Sequence, residues 1–116
     1  MINRAAIILK YKKPAIQWIN ETDPYKDNPG ISEKDANEER TVYLIEDDAA
    51  ESSAALNQWI RNNYNNLFEN ELNGWYANPN LWPEHRTLTL FRKWFIVECH
   101  TIIIDTVGTA IIEEDI

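Results

Sequence analysis

Glycine is scarce in this chain of 116 residues, where it occurs three times, as Gly30, Gly74 and Gly108. Each stands alone, so neither a glycine-rich dinucleotide turn nor a P-loop can be written anywhere in the chain. Both motifs need clustered glycines so that backbone N–H groups can approach a phosphate closely. The sequence therefore predicts no phosphate-cradling loop, and we expect no cofactor.

Cysteine and long apolar runs are also lacking. Cys99 is the only cysteine, which excludes an internal disulfide and with it a disulfide-stapled secreted scaffold. The longest apolar runs, such as Ala5–Leu9 and Ile102–Ile104, are far shorter than the roughly 20 residues that span a bilayer. The first residues show no signal-peptide pattern. We therefore expect a cytoplasmic protein that does not enter membranes.

Bases are outnumbered by acids. Eleven Lys and Arg residues stand against nineteen Asp and Glu, which gives a net charge of −8 and a pI near 4.7. This excess opposes a general electrostatic attraction to nucleic acid or to an anionic membrane. The charge is uneven, since residues 1–20 carry four bases and no acid, and the last nineteen residues carry five acids and no base.

The composition is that of one folded domain. Apolar residues make up 44% and charged residues 26% of the chain, both near the average for globular proteins. The length suits a single core, so we expect one domain over residues 1–116.

Apolar and β-branched runs predict four strands, over residues 5–11, 41–45, 96–107 and 110–112. The first run is continuous, which is typical of a strand covered on both faces. If the first two strands were parallel neighbours, the segment between them would form a right-handed crossover. Gly108 separates the last two strands and predicts a C-terminal β-hairpin.

Helical spacing is clearest from residue 51 to 73, where apolar residues recur every three or four positions. Asp48, Ser52 or Ser53 would cap this long amphipathic helix, and Asn73-Gly74 would end it. Shorter helices are predicted from Pro14 to about residue 20 and over residues 87–95. Residues 32–38 fit either one capped helical turn or an acidic solvated segment. The predicted fold class is α+β, or α/β, with a sheet of about four strands covered by these helices.

A possible enzymatic site centres on Glu98, Cys99 and His100. Neighbours on a strand point to opposite faces, so Cys99 and His100 would not form a dyad. Cys99 is instead expected to be a small buried apolar residue. Glu98 and His100 would share a face, and His85 would have to join them to give a small hydrolase-type enzyme. Because no two of these residues have paired ligand spacing, we expect no metal site.

Two surfaces are candidates for binding. The first is the loop that contains Trp75, Tyr76, Trp82, His85 and Arg86, whose aromatic residues either cap the core or form an exposed contact surface. The second is acidic. It consists of Glu46, Asp47 and Asp48, with the carboxylates of residues 33–40. These acids form either a solvated face or a binding surface for a basic partner.

Five short strings, spread over most of the chain, carry a resemblance: Trp18-Ile19-Asn20, Arg40-Thr41-Val42-Tyr43-Leu44-Ile45, Glu71-Leu72-Asn73-Gly74-Trp75-Tyr76, Leu81-Trp82-Pro83 and Val97-Glu98-Cys99-His100. Together they resemble a family of small bacterial proteins, some of which bear the name VacJ. That name belongs to a lipid-trafficking outer-membrane lipoprotein, but no lipidation cysteine stands near the start of this chain. The resemblance implies bacterial origin, and it implies no reaction, cofactor or catalytic residue.

The leading hypothesis is an acidic, cytoplasmic interaction module without catalytic activity. Its partner would be a protein, and a basic one would suit the acidic surface. One alternative is the small hydrolase built on His100, Glu98 and His85. The other is a homodimer that pairs through the C-terminal hairpin, because an outer strand would leave an unpaired edge.

Overall fold

Three strands and four α-helices make up the described part of the protein in a computed structural model, which covers residues 1–24 and 29–114. In chain order they are β1 (Arg4–Tyr11), α1 (Lys13–Thr22), α2 (Glu33–Ala36), β2 (Val42–Glu46), α3 (Ser53–Trp75), α4 (Leu88–Trp94) and β3 (Phe95–His100). Short 3-10 turns precede α3 at Asp47–Ala50 and α4 at Pro79–Leu81. The fold is α+β, which is the first of the two predicted classes.

The sheet has the order β2-β1-β3, with β1 antiparallel to both neighbours. Ile7, at the middle of β1, stands opposite Tyr43 on one side and Cys99 on the other. The first two predicted strands are therefore neighbours, but the parallel arrangement considered for them is wrong. After α1 and α2 the chain is back at the C-terminal end of β1, where the Asn37 side chain forms hydrogen bonds with the backbone of Tyr11. Strand β2 must then run back along β1.

One face of the sheet carries the core. Alternate residues of β1 point to the same side, and the four on this side are buried: Ala5, Ile7, Leu9 and Tyr11. Helices α1, α3 and α4 pack their apolar residues against them in one cluster. At its centre the ring of Phe68, from α3, lies 5.8 Å from Phe91, 5.2 Å from Trp94 and 5.5 Å from Phe95. Packing of this apolar face thus holds the long helix, whose outer side is rich in asparagine.

The other face of the sheet has no helix over it within the described residues. Val42 and Leu44 of β2 and Ile96 of β3 are about half exposed there. The expectation that the first strand is covered on both faces holds only in part, since Ala6 is buried and Ile8 half-buried on this side but no helix in the described ranges packs over them. All the helices that pack on the sheet lie on the side of the odd-numbered β1 residues, which leaves a two-layer molecule with an open sheet face.

The predicted C-terminal hairpin is not formed, and the sheet has three strands rather than four. Strand β3 ends at His100, and residues 101–114 contain no regular secondary structure. In the antiparallel register β3 reaches the start of β1 at this point, since Ala6 stands opposite His100. One further bond joins Ile2 N–H to the Ile103 carbonyl at 2.8 Å. Beyond it the segment has run past the N-terminal end of its neighbour, so it lacks a strand to pair with.

The helices agree with the sequence patterns within a few residues at each end. Pro14 stands at the start of α1, and the Ser52 hydroxyl accepts a hydrogen bond from Ala55 N–H at the start of α3. The alternatives for residues 32–38 resolve in favour of a helical turn, because Ser32 and Asp35 form a reciprocal capping box. None of the helices in the described ranges is both long enough and apolar enough to cross a membrane.

Candidate functional site

An acidic cleft of about 360 Å³ lies between α2, with the residues that follow it, and the C-terminal end of α3. Four carboxylates and two aromatic rings line it, and its lining within the described residues includes no lysine, arginine or histidine. The lining residues are Tyr11, Asp35, Ala36, Glu38, Glu39, Thr41, Asn70, Glu71, Gly74 and Trp75. We call this region the acidic cleft.

Glu71 is the innermost acid of the cleft. Its Oε1 accepts a hydrogen bond from the Tyr11 hydroxyl at 2.8 Å, and its Oε2 accepts one from the Tyr43 hydroxyl. Trp75 Nε1–H donates to the Tyr11 oxygen at 2.9 Å, and Asn70 Nδ2–H donates to the Tyr43 oxygen at 2.8 Å. The two phenols thus each receive one hydrogen bond and donate one, so the carboxylate is fixed by β1, β2 and α3 together.

The electrostatics of this network keep both phenols protonated. Burial raises the pKa of Tyr11 well above its ordinary value, and the negative charge of Glu71 raises it further. Burial and the hydrogen bond to Glu71 raise the pKa of Tyr43 in the same direction. Each phenol therefore remains a donor at neutral pH. The network fixes a charge in place and offers no proton that is easily exchanged.

Helix α2 and the residues that follow it carry the outer acids of the cleft, and two asparagine side chains hold this segment in place. Asn37 Oδ1 accepts from Tyr11 N–H at 2.8 Å while its Nδ2 donates to the Tyr11 carbonyl at 3.2 Å. Asn20 contacts Ile31 in the same way, with 2.9 Å to the N–H and 3.0 Å to the carbonyl. Each asparagine side-chain amide thus accepts from the N–H and donates to the carbonyl of one residue, as a peptide group of a neighbouring strand would do.

The pKa of the Asp35 carboxyl is lowered, chiefly because the Ser32 backbone N–H donates a hydrogen bond to it. Hydrogen bonding with the Ser32 side chain lowers it further. The carboxylate is solvent-exposed, and the capping box fixes its orientation. Glu38 and Glu39 follow within four residues and are also exposed. The rim of the cleft is therefore negatively charged at neutral pH, and its position is set by the short helix.

Trp75 joins the two surfaces that the sequence suggested separately. It ends α3, it is 36% exposed, and it lines the acidic cleft opposite the carboxylates of residues 35–39. An aromatic face beside several carboxylates suits a cation that carries an apolar stem, such as a lysine or arginine side chain. The cleft therefore has the chemistry of a cation-binding site.

The rest of the aromatic loop is engaged within the protein. The Tyr76 hydroxyl donates to the Ile19 carbonyl at 2.5 Å, and Trp82 Nε1–H donates to the Tyr76 carbonyl at 2.7 Å. Arg86 bonds to Glu69 of α3 at 2.5 Å, and its guanidinium stands 5.8 Å from the centre of the Trp82 ring. These side chains close the edge of the core, which matches the core-capping interpretation. His85 is exposed beside them.

The acids Glu46, Asp47 and Asp48 form a separate group. They stand at the end of β2 and in the 3-10 turn that leads into α3, and all three are exposed. They are not among the residues that line the acidic cleft. The sequence-based acidic surface therefore divides into two parts, of which only residues 35–39 lie beside an aromatic side chain in a cavity.

The structure does not bring together the residues of the enzymatic hypothesis. His100 and Glu98 share the open face of the sheet, where Glu98 forms an ion pair with Arg40 at 3.0 Å. His85 belongs to the loop on the helical side, since its neighbour Arg86 contacts α3. The two histidines thus lie on opposite sides of the sheet. Across residues 1–24 and 29–114, no group of three His, Cys, Asp or Glu side chains is placed to hold a metal ion.

Cys99 faces the helical layer, since it stands opposite Ile7, and it is half-buried rather than fully buried. Burial raises the pKa of its thiol. The thiol form therefore dominates at neutral pH, which does not favour a nucleophilic role.

Sequence reasoning missed four residues that build the cleft: Tyr11, Asn37, Tyr43 and Glu71. The two tyrosines were read as parts of apolar strands, although alternation on the strands places both hydroxyls on the helical side. Glu71 falls between the apolar positions Phe68 and Leu72 of α3, which could have indicated an acid near the helix–sheet boundary. Nothing in the sequence distinguishes Asn37 from the other asparagines, because its role depends on a contact 26 residues away.

Comparisons of the chain with models of protein families, with curated proteins and with solved structures gave no match. The assignment of a function therefore rests on the chemistry of the acidic cleft itself.

Proposed function

We propose that the protein is a non-catalytic, cytoplasmic interaction module that holds a lysine or arginine side chain of a basic protein partner in the acidic cleft. The observation that carries this proposal is the cleft lining, in which four carboxylates surround a cavity with the partly exposed ring of Trp75. A cationic side chain would place its charge among the carboxylates and its stem on the indole face.

The charge of the whole chain supports a basic partner. The net charge of −8 attracts cations over long distances and raises the rate of encounter at low ionic strength. Within the cleft, Glu71 is held by Tyr11 and Tyr43 before a ligand arrives. A preformed acceptor loses less conformational entropy on binding than a flexible surface glutamate.

The chemistry of the lining favours binding over a reaction. Its described residues include neither an imidazole nor a thiol, which are the commonest general base and one of the commonest nucleophiles. Both oxygens of Glu71 already accept hydrogen bonds from phenols.

The test is to compare two variants that lose the same charge. The double variant Glu38→Gln/Glu39→Gln removes two carboxylates from the cleft, and Asp47→Asn/Asp48→Asn removes two from the other acidic group. An oligo-arginine peptide titrated into each protein in a calorimeter is the probe. We expect the cleft variant to bind roughly five- to tenfold more weakly, as about 1–1.4 kcal/mol from two surface charges implies. The control variant should change the affinity less than about twofold.

Equal losses in the two variants would show that the peptide senses only net charge, and the proposal would then be wrong. A larger loss in the Asp47/Asp48 variant would move the contact to the start of α3. Both variants should remain folded, because all four substituted side chains are exposed and lie outside the core.

The aromatic face is tested separately with Trp75. Trp75→Leu keeps an apolar side chain but removes the ring, whereas Trp75→Phe keeps a ring and removes only the N–H that bonds to Tyr11. If the ring contacts the cation, Trp75→Leu should weaken peptide binding by roughly two- to fivefold, as expected for an exposed cation–π contact of about 0.5–1 kcal/mol. Trp75→Phe should retain most of the affinity. Equal effects of the two substitutions would contradict a ring contact.

A further inference from the structure

The C-terminal segment, residues 101–114, leaves the body of the protein with its apolar side chains in solvent. Five large aliphatic residues are each more than 60% exposed: Ile102, Ile104, Val107, Ile111 and Ile112. The Cα radius of gyration is 15.9 Å, against about 13 Å expected for a compact chain of this length. Within the described residues, the segment is thus extended and uncovered.

The open face of the sheet is a second uncovered apolar surface on the same chain. Val42, Leu44 and Ile96 are 54%, 51% and 47% exposed there. Since both this face and the C-terminal segment remain exposed, the segment does not cover its own sheet. A soluble chain rarely leaves two such surfaces without a partner.

We propose that the protein forms a two-fold homodimer in which the C-terminal segment of each copy lies across the open sheet face of the other. One exchange covers both surfaces in both copies, which is the closed symmetry expected of an isologous dimer. The eleven residues 104–114 extend to roughly 36 Å at about 3.3 Å per residue. Three strands at about 4.8 Å spacing are much narrower than this, so the segment is long enough to cross the sheet.

Charge favours the same arrangement. The described part of the segment carries Asp105, Glu113 and Glu114 and no base. The open face carries the exposed bases Arg4 and Lys10 and two acids, of which Glu98 is paired with Arg40 and Glu46 stands opposite Arg4. The acidic end of one copy would therefore meet Lys10 at the other end of the face, away from Glu46.

The area is sufficient for a specific dimer. Each copy has eight exposed aliphatic side chains on the two surfaces, and a dimer covers sixteen. At roughly 80 Å² of apolar surface for each side chain, the interface would bury about 1,300 Å², within the range of about 1,200–2,000 Å² for stable interfaces.

Light scattering coupled to size-exclusion chromatography tests the proposal at tens of micromolar protein. We expect a mass twice the 13.6 kDa of the chain. Ile104→Asp/Ile111→Asp in the segment and Val42→Lys/Leu44→Lys on the sheet face should each give a monomer. The control Thr106→Asp/Thr109→Asp adds the same charge to the segment without removing an aliphatic side chain, and it should remain mostly dimeric. A monomeric unmodified protein would overturn the proposal.

Mixing the two monomeric variants distinguishes segment-on-sheet contact from pairing of two segments. In the mixture, the intact segment of the sheet variant can bind the intact sheet face of the segment variant. The second contact of that heterodimer places the introduced aspartates against the introduced lysines. Heterodimers should therefore form in the mixture although neither variant dimerises alone. If the mixture stays monomeric while circular dichroism shows both variants folded, the exchange of segments is wrong. The segment variant lies outside the core, so its result holds even if the sheet variant is destabilised.

Discussion

Glu71 joins three elements through hydrogen bonds made by one side chain. It lies on α3, and it accepts from Tyr11 on β1 and from Tyr43 on β2. Charged acceptors make stronger hydrogen bonds than neutral ones. A partly buried carboxylate needs such partners because burial without them is costly. The residue that positions the acidic cleft therefore also ties the helix to two strands.

The two phenols make stability depend on pH in alkaline solution. In the unfolded chain a tyrosine loses its proton near pH 10, whereas the folded protein keeps the protons of Tyr11 and Tyr43 to higher pH. The unfolded state then binds fewer protons, so rising pH favours unfolding. We expect the free energy of unfolding to be unaffected by these groups below about pH 9. Above about pH 10 it should fall by up to roughly 1.4 kcal/mol per pH unit for each phenol.

Urea unfolding at a series of alkaline pH values measures this dependence. Tyr11→Phe/Tyr43→Phe should show a shallower fall with pH than the unmodified protein, although its stability at neutral pH is lower because Glu71 loses two donors. Parallel curves for the two proteins would contradict the assignment of the alkaline loss to these phenols.

At the scale of elements, α3 depends on a single capping side chain at its start. The Ser52 hydroxyl accepts from Ala55 N–H at 3.1 Å, which satisfies one of the free N–H groups in the first turn. The asparagine-rich outer side of the helix adds little intrinsic stability. The cap should therefore contribute measurably.

Serine 53 provides a matched control for this cap. Ser52→Ala should lower the free energy of unfolding by about 1 kcal/mol, within a range of about 0.5–2 kcal/mol for such caps. Ser53→Ala, at the first residue of the helix, should change it by less than about 0.5 kcal/mol. Chemical denaturation of both variants measures the difference. A larger loss in Ser53→Ala would show that the helix is capped one residue later.

Helix α2 shows how much of an element a sequence can reveal. The Ser32 and Asp35 capping pattern is local, so it could be recognised from residue identity and spacing alone. The contact that brings α2 to β1 could not, because Asn37 bonds to backbone groups of Tyr11 rather than to a recognisable side-chain partner. The acidic residues were therefore visible in the sequence, but the cleft that they form with Trp75 was not.

At the scale of the whole molecule, one core connects the sheet to all four described helices, since α2 contributes Ala36 to it. Phe68 is fully buried at its centre, in ring contact with residues of α4 and β3. A core that is shared in this way favours a single cooperative unfolding transition.

Phe68→Ala tests this shared core. The substitution should lower the free energy of unfolding by about 3–5 kcal/mol, because it leaves a cavity among the rings of Phe91, Trp94 and Phe95. Leu81→Ala, at a site that is 40% exposed, should cost less than about 1 kcal/mol. In both variants, circular dichroism and tryptophan fluorescence should report coincident transitions. Separate transitions would show that the helices and the sheet unfold independently.

The sequence by itself determined a mixed fold of helices and strands, three of the four strands that it predicted, the long helix with Ser52 among three candidate caps, and the negative charge. These features follow from local periodicity, capping chemistry and residue counts, which need no knowledge of distant contacts. Only the tertiary structure decided that β1 and β2 are antiparallel, that the helices cover one face, and that the C-terminal segment forms no hairpin. Strand pairing and layer packing depend on which surfaces meet. For the same reason, only the structure showed that the Asn37 contact and the positions of Glu71 and Trp75 bring several of the acids together in a cleft.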